Sequence, residues 1–209
     1  EDGGLDEGAV GDRLGHLLRL SVGPEALYLD RDEVLGPLGV ERDLAGELRT
    51  HAGHRVALQD LSAEVLATAE RQLRDRMARQ VAKGRRTAEQ VGEAFARLRL
   101  STDLAAVADV DLVIEAVVEK VDVKRDLFAE LDRLCPPRTV LASNSSSFVP
   151  SAMASATLRA DRFCNLHFFN PAPVMECVEV VRGPETSDDT FTEVLAYVER
   201  IGKKAVVLD

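Results

Sequence analysis

DLVIEAVV, residues 111–118, is a nearly continuous apolar run, the pattern of a strand buried on both faces of a parallel sheet. Glu115 interrupts it and Glu119 follows it directly, near the C-terminal end, where open parallel sheets hold their ligands. Asp122 suits a helix N-cap. Behind it, Val123, Leu127, Leu131 and Leu134 form an apolar stripe at helical spacing that Pro136-Pro137 ends. Thr139–Ala142 is then the next strand. This order predicts an α/β fold built on one doubly wound, mainly parallel Rossmann-type sheet.

Toward the N-terminus, Arg55–Leu58 reads as a short strand ending at Asp60, with Gly53 suited to cap a helix finishing over 44–51. An acid at the end of the second strand is where dinucleotide-binding folds hold the adenosine ribose, which favours NAD over NADP. Asp60 as a cap for the helix starting near Ser62 is the competing reading. That helix, 62–83, carries Leu66, Ala69, Leu73, Met77 and Val81 on one face. Thr87 with Gln90 forms a capping box, and Val91, Ala94, Phe95 and Leu98 line a second helix, making a helical arm over about 62–99. Between Arg71 and Arg86 stand seven basic residues against one acid, a solvated helix face or an electropositive seat for a phosphate.

The stretch where a Gly-x-Gly-x-x-Gly turn belongs reads Asp32-Glu33-Val34-Leu35-Gly36-Pro37-Leu38-Gly39-Val40-Glu41-Arg42. Gly36 and Gly39 are the glycines available to a diphosphate, but neither register restores the fingerprint, and Glu41 at the third position repels an anion. A true replacement and a local frameshift upstream of Leu44 both account for this. Residues 1–33 read as an irregular acidic leader with a short helix over 16–20 and a short strand over 26–29, and His16 as a surface residue. The Rossmann-type domain spans 34–209.

Toward the C-terminus, Asn144-Ser145-Ser146-Ser147 is the loop after the strand at 139–142. An apolar run, Phe163–Leu166, then leads to His167, and a turn at Asn170-Pro171-Ala172-Pro173 returns the chain through Cys177–Val181. That hairpin brings Glu179 beside His167. A carboxylate there fixes the imidazole tautomer and lets the ring take a hydroxyl proton; two polar residues in a sheet is the alternative. Ser187 caps a helix with Phe191, Val194, Leu195, Val198 and Ile201 facing inward, Gly202 ends it, and Lys204–Leu208 begins another strand.

The net charge of −10 argues against nucleic-acid binding. No run approaches the length of a membrane span, and the start lacks a signal peptide's features, so a cytoplasmic protein is expected. Cys135, Cys164 and Cys177 lack metal-ligand spacing, so reduced thiols and no metal are expected.

HFFNPAPVMECVEVV (167–181), preceded by ASNSSS (142–147) and DLVIEAVVEKVDVKRDLFAEL (111–131), resembles the NAD-binding domain of the L-3-hydroxyacyl-CoA dehydrogenases, including the 3-hydroxybutyryl-CoA dehydrogenases. The resemblance runs from about Leu44 to Asp209, and Ser146 stands 21 residues before His167 as in the family. It implies NAD-dependent oxidation of an L-3-hydroxyacyl thioester, carried by coenzyme A or a carrier protein, to the 3-ketoacyl thioester in fatty acid metabolism. In this reading His167 is the base, Glu179 its support, and Ser146 holds the substrate's 3-oxygen. Glu119, Lys124 and Asn144 lie at the cofactor with Asp60, Lys83 at the 3′-phospho-ADP of coenzyme A, and Asn170 shapes the pocket. The family's helical second domain, with its homodimer contacts, is expected beyond Asp209. Two rival expectations are a non-catalytic thioester-binding or assembly module with a disabled cofactor loop, and a related dehydrogenase of a hydroxy or sugar acid.

Overall fold

The computed structural model describes the backbone of Leu18–Val22 and Glu25–Asp30, and residues 53–208 apart from Pro171 and Pro173. In chain order the strands and helices are β1 (Leu18–Val22), β2 (Glu25–Asp30), β3 (Arg55–Asp60), α1 (Ala63–Ala82), α2 (Ala88–Ala96), β4 (Leu98–Ser101), β5 (Leu112–Ala116), α3 (Val121–Leu134), β6 (Val140–Ser143), α4 (Pro150–Ala154), β7 (Phe163–Phe168), β8 (Cys177–Arg182), α5 (Asp188–Arg200) and β9 (Lys204–Leu208). The described strands form one sheet in the order β4-β3-β1-β2-β5-β6-β7-β8-β9. β2, β5, β6 and β7 run parallel, as do β3 with β4 and β8 with β9. β8 is antiparallel to β7, and β1 is antiparallel to β3 over five pairs.

β2 contains the short strand expected over 26–29, whereas β1 corrects the expectation of a helix over 16–20. Leu18, Leu20 and Val22 alternate with Arg19 and Ser21, the period of two that a strand needs. β2 lies parallel to β5 from Ala26↔Leu112 to Asp30↔Ala116, so EALYLD occupies the place of a first Rossmann strand.

Helices cover both faces, as the apolar run in β5 requires. On one face α1 and α5 pack Leu66, Ala69, Val194 and Val198 on Val56, Ile114, Leu166 and Val180. On the other, α3 and α4 pack Leu127, Phe128, Leu131 and Met153 on Val113, Leu141 and Phe163. β5 is buried at every position, whereas β8 alternates. Val178 and Val180 point into the first core, leaving Glu179 on the second face.

The arm ends earlier than the sequence suggests. α2 stops at Ala96, and Leu98 belongs to β4, opposite Val56, because Leu98 and Leu100 alternate onto the first core. Asp122 is also not the cap of α3. The helix begins at Val121 with Lys120, two residues before Asp122, at its N-cap and no side-chain cap bond, and Asp122 sits in its first turn, where it still faces the positive end of the helix dipole. The expected caps of α2 and α5 are present at Thr87 and Ser187, and α1 is capped by Ser62. Gly202, at φ 74°, supplies the left-handed residue after α5. Thr87 and Gln90 exchange both bonds of the capping box, at 3.1 and 3.0 Å. Thr87→Ala is therefore expected to lower the unfolding free energy by about 1 kcal/mol, measured as a shift in urea midpoint.

Candidate active site

Because β5, β6 and β7 run parallel and in register, residues opposite one another form rows across the sheet. Glu115 pairs with Ser143, and Ser143 with Asn165; all three are buried, and alternation places them on the α3 face. Two residues further along β7, on the same face, His167 lies opposite Glu179 of β8. His167 Nδ1 is 2.7 Å from Glu179 Oε2, and the two side chains are 18% and 29% exposed. The pair expected from the hairpin is thus formed, reachable at the carboxyl edge of the parallel strands. The Phe169 ring lies 5.0 Å from the imidazole. Pro171 and Pro173 of the turn lie outside the described residues, but the return is tied down. Lys203 Nζ donates to the carbonyl of Ala172 at 2.6 Å and to that of Met175.

The second cluster centres on Lys124. Lys124, which the family resemblance places at the cofactor, is 1% exposed. Its ammonium donates to Glu115 Oε1 at 2.6 Å and the Val117 carbonyl at 3.3 Å, and lies 3.1 Å from Glu119 Oε2. Lys124 and Glu115 thus form a buried ion pair. Glu115 also accepts the Val117 amide at 2.6 Å and the Ser143 hydroxyl at 2.6 Å. Burial pushes the Glu115 carboxyl above its ordinary range, against the opposing pull of Lys124, Ser143 and the Val117 amide. Partial burial pushes Glu119 the same way, but the Ser145 hydroxyl, Lys124 and the Ser147 amide outweigh it and hold this carboxyl below its ordinary range.

The serine loop joins the two clusters. Ser145 is buried and donates its hydroxyl to Glu119 Oε1, while accepting the amides of Ser147 at 3.2 Å and Phe148 at 2.9 Å. Asn144 Oδ1 accepts the Phe168 amide at 2.8 Å, which links the loop to the residue beside His167. Ser146 is exposed, with Ser147 Oγ at 3.5 Å. Asn170 is exposed at the start of the turn. Asp60 is buried at the end of β3 and accepts the Ser62 amide at 2.6 Å, whereas the cap of α1 is Ser62 itself, whose hydroxyl accepts the Val65 amide. Lys83 is exposed and caps the far end of α1, a helix length of roughly 30 Å from Ser62. Of the basic run, Arg74 is engaged by Glu70 at 2.6 Å and lies over the Phe95 ring. Gly36 and Gly39 lie outside the described residues.

Sequence reading passed over Ser143, Ser145 and Asn165. The available signal was Glu115: a carboxylate inside a fully buried strand must find donors on neighbouring elements, and polar residues at the ends of the next strands are the ones at hand. The three cysteines are free, and burial pushes the Cys164 thiol up to about 12, which leaves it inert. Among the described residues no helix is long and apolar enough to cross a membrane.

A doubly wound sheet carrying a histidine–carboxylate pair and a serine loop at its carboxyl edge defines a Rossmann-type domain with a candidate site at that edge. Residues 42–209 match the family described as 3-hydroxyacyl-CoA dehydrogenase, NAD binding domain, and the chain belongs to that family. The match begins at the last residue of the 36–42 stretch. A probable 3-hydroxybutyryl-CoA dehydrogenase of Bacillus subtilis is 41% identical over 155 residues, covering 74% of this chain and 54% of the relative. The human mitochondrial hydroxyacyl-coenzyme A dehydrogenase is 41% identical over 162 residues, covering 74% and 51%. The crystal structure of an Escherichia coli 3-hydroxybutyryl-CoA dehydrogenase superposes with a TM-score of 0.77 at 40% identity, over 79% of this chain and 35% of that one. The chain thus spans about half the length of the B. subtilis and human relatives.

Proposed function

We propose that this chain supplies the cofactor domain and catalytic base of an NAD-dependent L-3-hydroxyacyl-CoA dehydrogenase. The observation that carries the reading is the His167–Glu179 pair, set at the carboxyl edge beside a serine loop. With Nδ1 facing Glu179, the ring's Nδ1–H is donated to the carboxylate and Nε2 is left to accept a proton. In the oxidative direction His167 takes the 3-hydroxyl proton at Nε2, Glu179 stabilises the positive charge the ring acquires, and Ser146 orients the 3-oxygen. NAD, when bound, accepts the hydride from C3. Proton removal by such a base contributes roughly 10²- to 10⁴-fold.

The residues fit a dinucleotide at both of its ends. Asp60 offers a carboxylate to a ribose diol at the end of β3, and Glu119 presents a partly exposed carboxylate, kept ionised by its donors, beside the serine loop. Asn144, Ser146 and Asn170 stand on the same edge as His167, which supports their roles at cofactor and substrate. The basic residues from Arg71 to Arg86 favour coenzyme A over a carrier protein as the acyl carrier, with Lys83 at its 3′-phosphate.

Fluorescence titration with NADH tests the reading. Micromolar binding that weakens about tenfold in Asp60→Ala, the loss of a hydrogen bond to a charged group, is the expected result. Absence of binding at millimolar NADH would sink it and leave the non-catalytic thioester-binding module as the better description.

A further inference from the structure

Among the described residues Ser146 makes no strong side-chain bond of its own, yet the backbone on both sides of it is held by donors and acceptors that trace back to one buried residue. The Ser145 amide donates to Ser143 Oγ at 3.2 Å, and Ser143 Oγ donates to Glu115 at 2.6 Å. The Ser147 amide donates to Glu119 at 3.2 Å, Glu119 pairs with Lys124 at 3.1 Å, and Lys124 donates to Glu115 at 2.6 Å. Two chains of hydrogen bonds and ion pairs therefore start at the Glu115 carboxylate, one from each oxygen, and end on the amides that flank Ser146. The Asn165 amide, next in the same buried row, donates to the Phe148 carbonyl at 2.7 Å and fixes the loop's far end.

We infer that Glu115 is a positioning residue: through Ser143 on one side and Lys124–Glu119 on the other, it sets the loop that presents Ser146 and the carboxylate that faces the cofactor. The ion pair's burial explains why a charge is used. Glu115 and Lys124 are 0% and 1% exposed, so water cannot replace a lost partner, and each of the carboxylate's bonds is directional and strong. A neutral amide at 115 keeps the shape but turns an N–H either toward Lys124, which breaks that chain, or toward Ser143, whose hydroxyl must then accept instead of donate; in both cases the charge that strengthens the two chains is gone. The inference rests on the proposed function only for the meaning of the loop; the positioning itself is a property of the fold.

Hydrogen–deuterium exchange over Ser145–Phe148 in Glu115→Gln, followed by NADH titration of the same protein, tests it. Exchange about tenfold faster in this loop is expected, the effect of one lost charge-assisted bond on a local opening equilibrium. The Val178–Val181 amides should be unchanged, and NADH affinity should weaken. Ser143→Ala, which cuts only the shorter chain, is the second variant and keeps the test decisive if Glu115→Gln fails to fold; it should speed the Ser145 amide alone. Unchanged loop exchange in a folded variant overturns the inference and makes Glu115 a packing partner of Lys124. If the parent binds no NADH while the loop still loosens, the cofactor reading fails and the positioning role stands.

Discussion

His167→Gln is expected to lower kcat for L-3-hydroxyacyl-CoA oxidation by about 10²- to 10⁴-fold, with NADH affinity little changed. Glutamine keeps the approximate volume and can still donate to Glu179, so the hairpin should persist. What it lacks is an atom that takes a proton near neutral pH. The loss should fall on kcat more than on KM, because the interaction removed develops in the transition state. Glu179→Gln should show the same pattern with a smaller loss, since the imidazole retains a hydrogen bond at 2.7 Å but loses the charge facing it. Stopped-flow measurement of NADH formation separates this step from product release. Parent-like turnover in His167→Gln would assign the base elsewhere.

The His167–Glu179 pair was legible because its geometry depends on local pattern. An apolar run, a proline-rich turn and a second apolar run specify a hairpin, and twelve residues of separation then place both side chains on one face. β5 and α3 were legible for the same reason, since a continuous apolar strand and a helical stripe each carry their period in the sequence. Less legible were features that depend on distant partners. β4 is four residues long, too short for the alternation in LRLS to separate it from the end of α2 until pairing with β3 decides. The Lys124 cluster was visible only as residue types. That Lys124 turns inward follows from Glu115 sitting on the α3 face of β5, a consequence of strand register that becomes definite once the sheet is assembled. β1 illustrates the same limit: the alternation in LRLSV competes with a plausible short helix until antiparallel pairing with β3 decides.

Lys124→Met should destabilise the fold by about 3–5 kcal/mol, the cost of leaving a buried carboxylate without its cation. Methionine fills most of the lysine stem's space, so the loss comes from charge, not from a cavity. The pH dependence separates the two causes. Without Lys124, burial favours the protonated form of Glu115 still more, and its folded pKa stands above the unfolded value of 4.5. The folded state then binds the extra proton between those two values, so the variant loses stability as pH rises from 4.5 through the raised folded pKa. In the parent Glu119 contributes with the opposite sign. Its folded pKa is depressed, so its stabilisation is present above 4.5 and is lost as pH falls through the folded value. Adding Glu115→Gln to Lys124→Met removes the uncompensated charge and should recover most of the lost stability at pH 7, as replacing a buried ion pair by neutral groups of similar volume commonly does. Urea unfolding of the parent, the single and the double variant at two pH values reads both effects. If the double variant is no more stable than Lys124→Met, the cost lies in packing around the lysine stem, and the electrostatic account of this cluster fails.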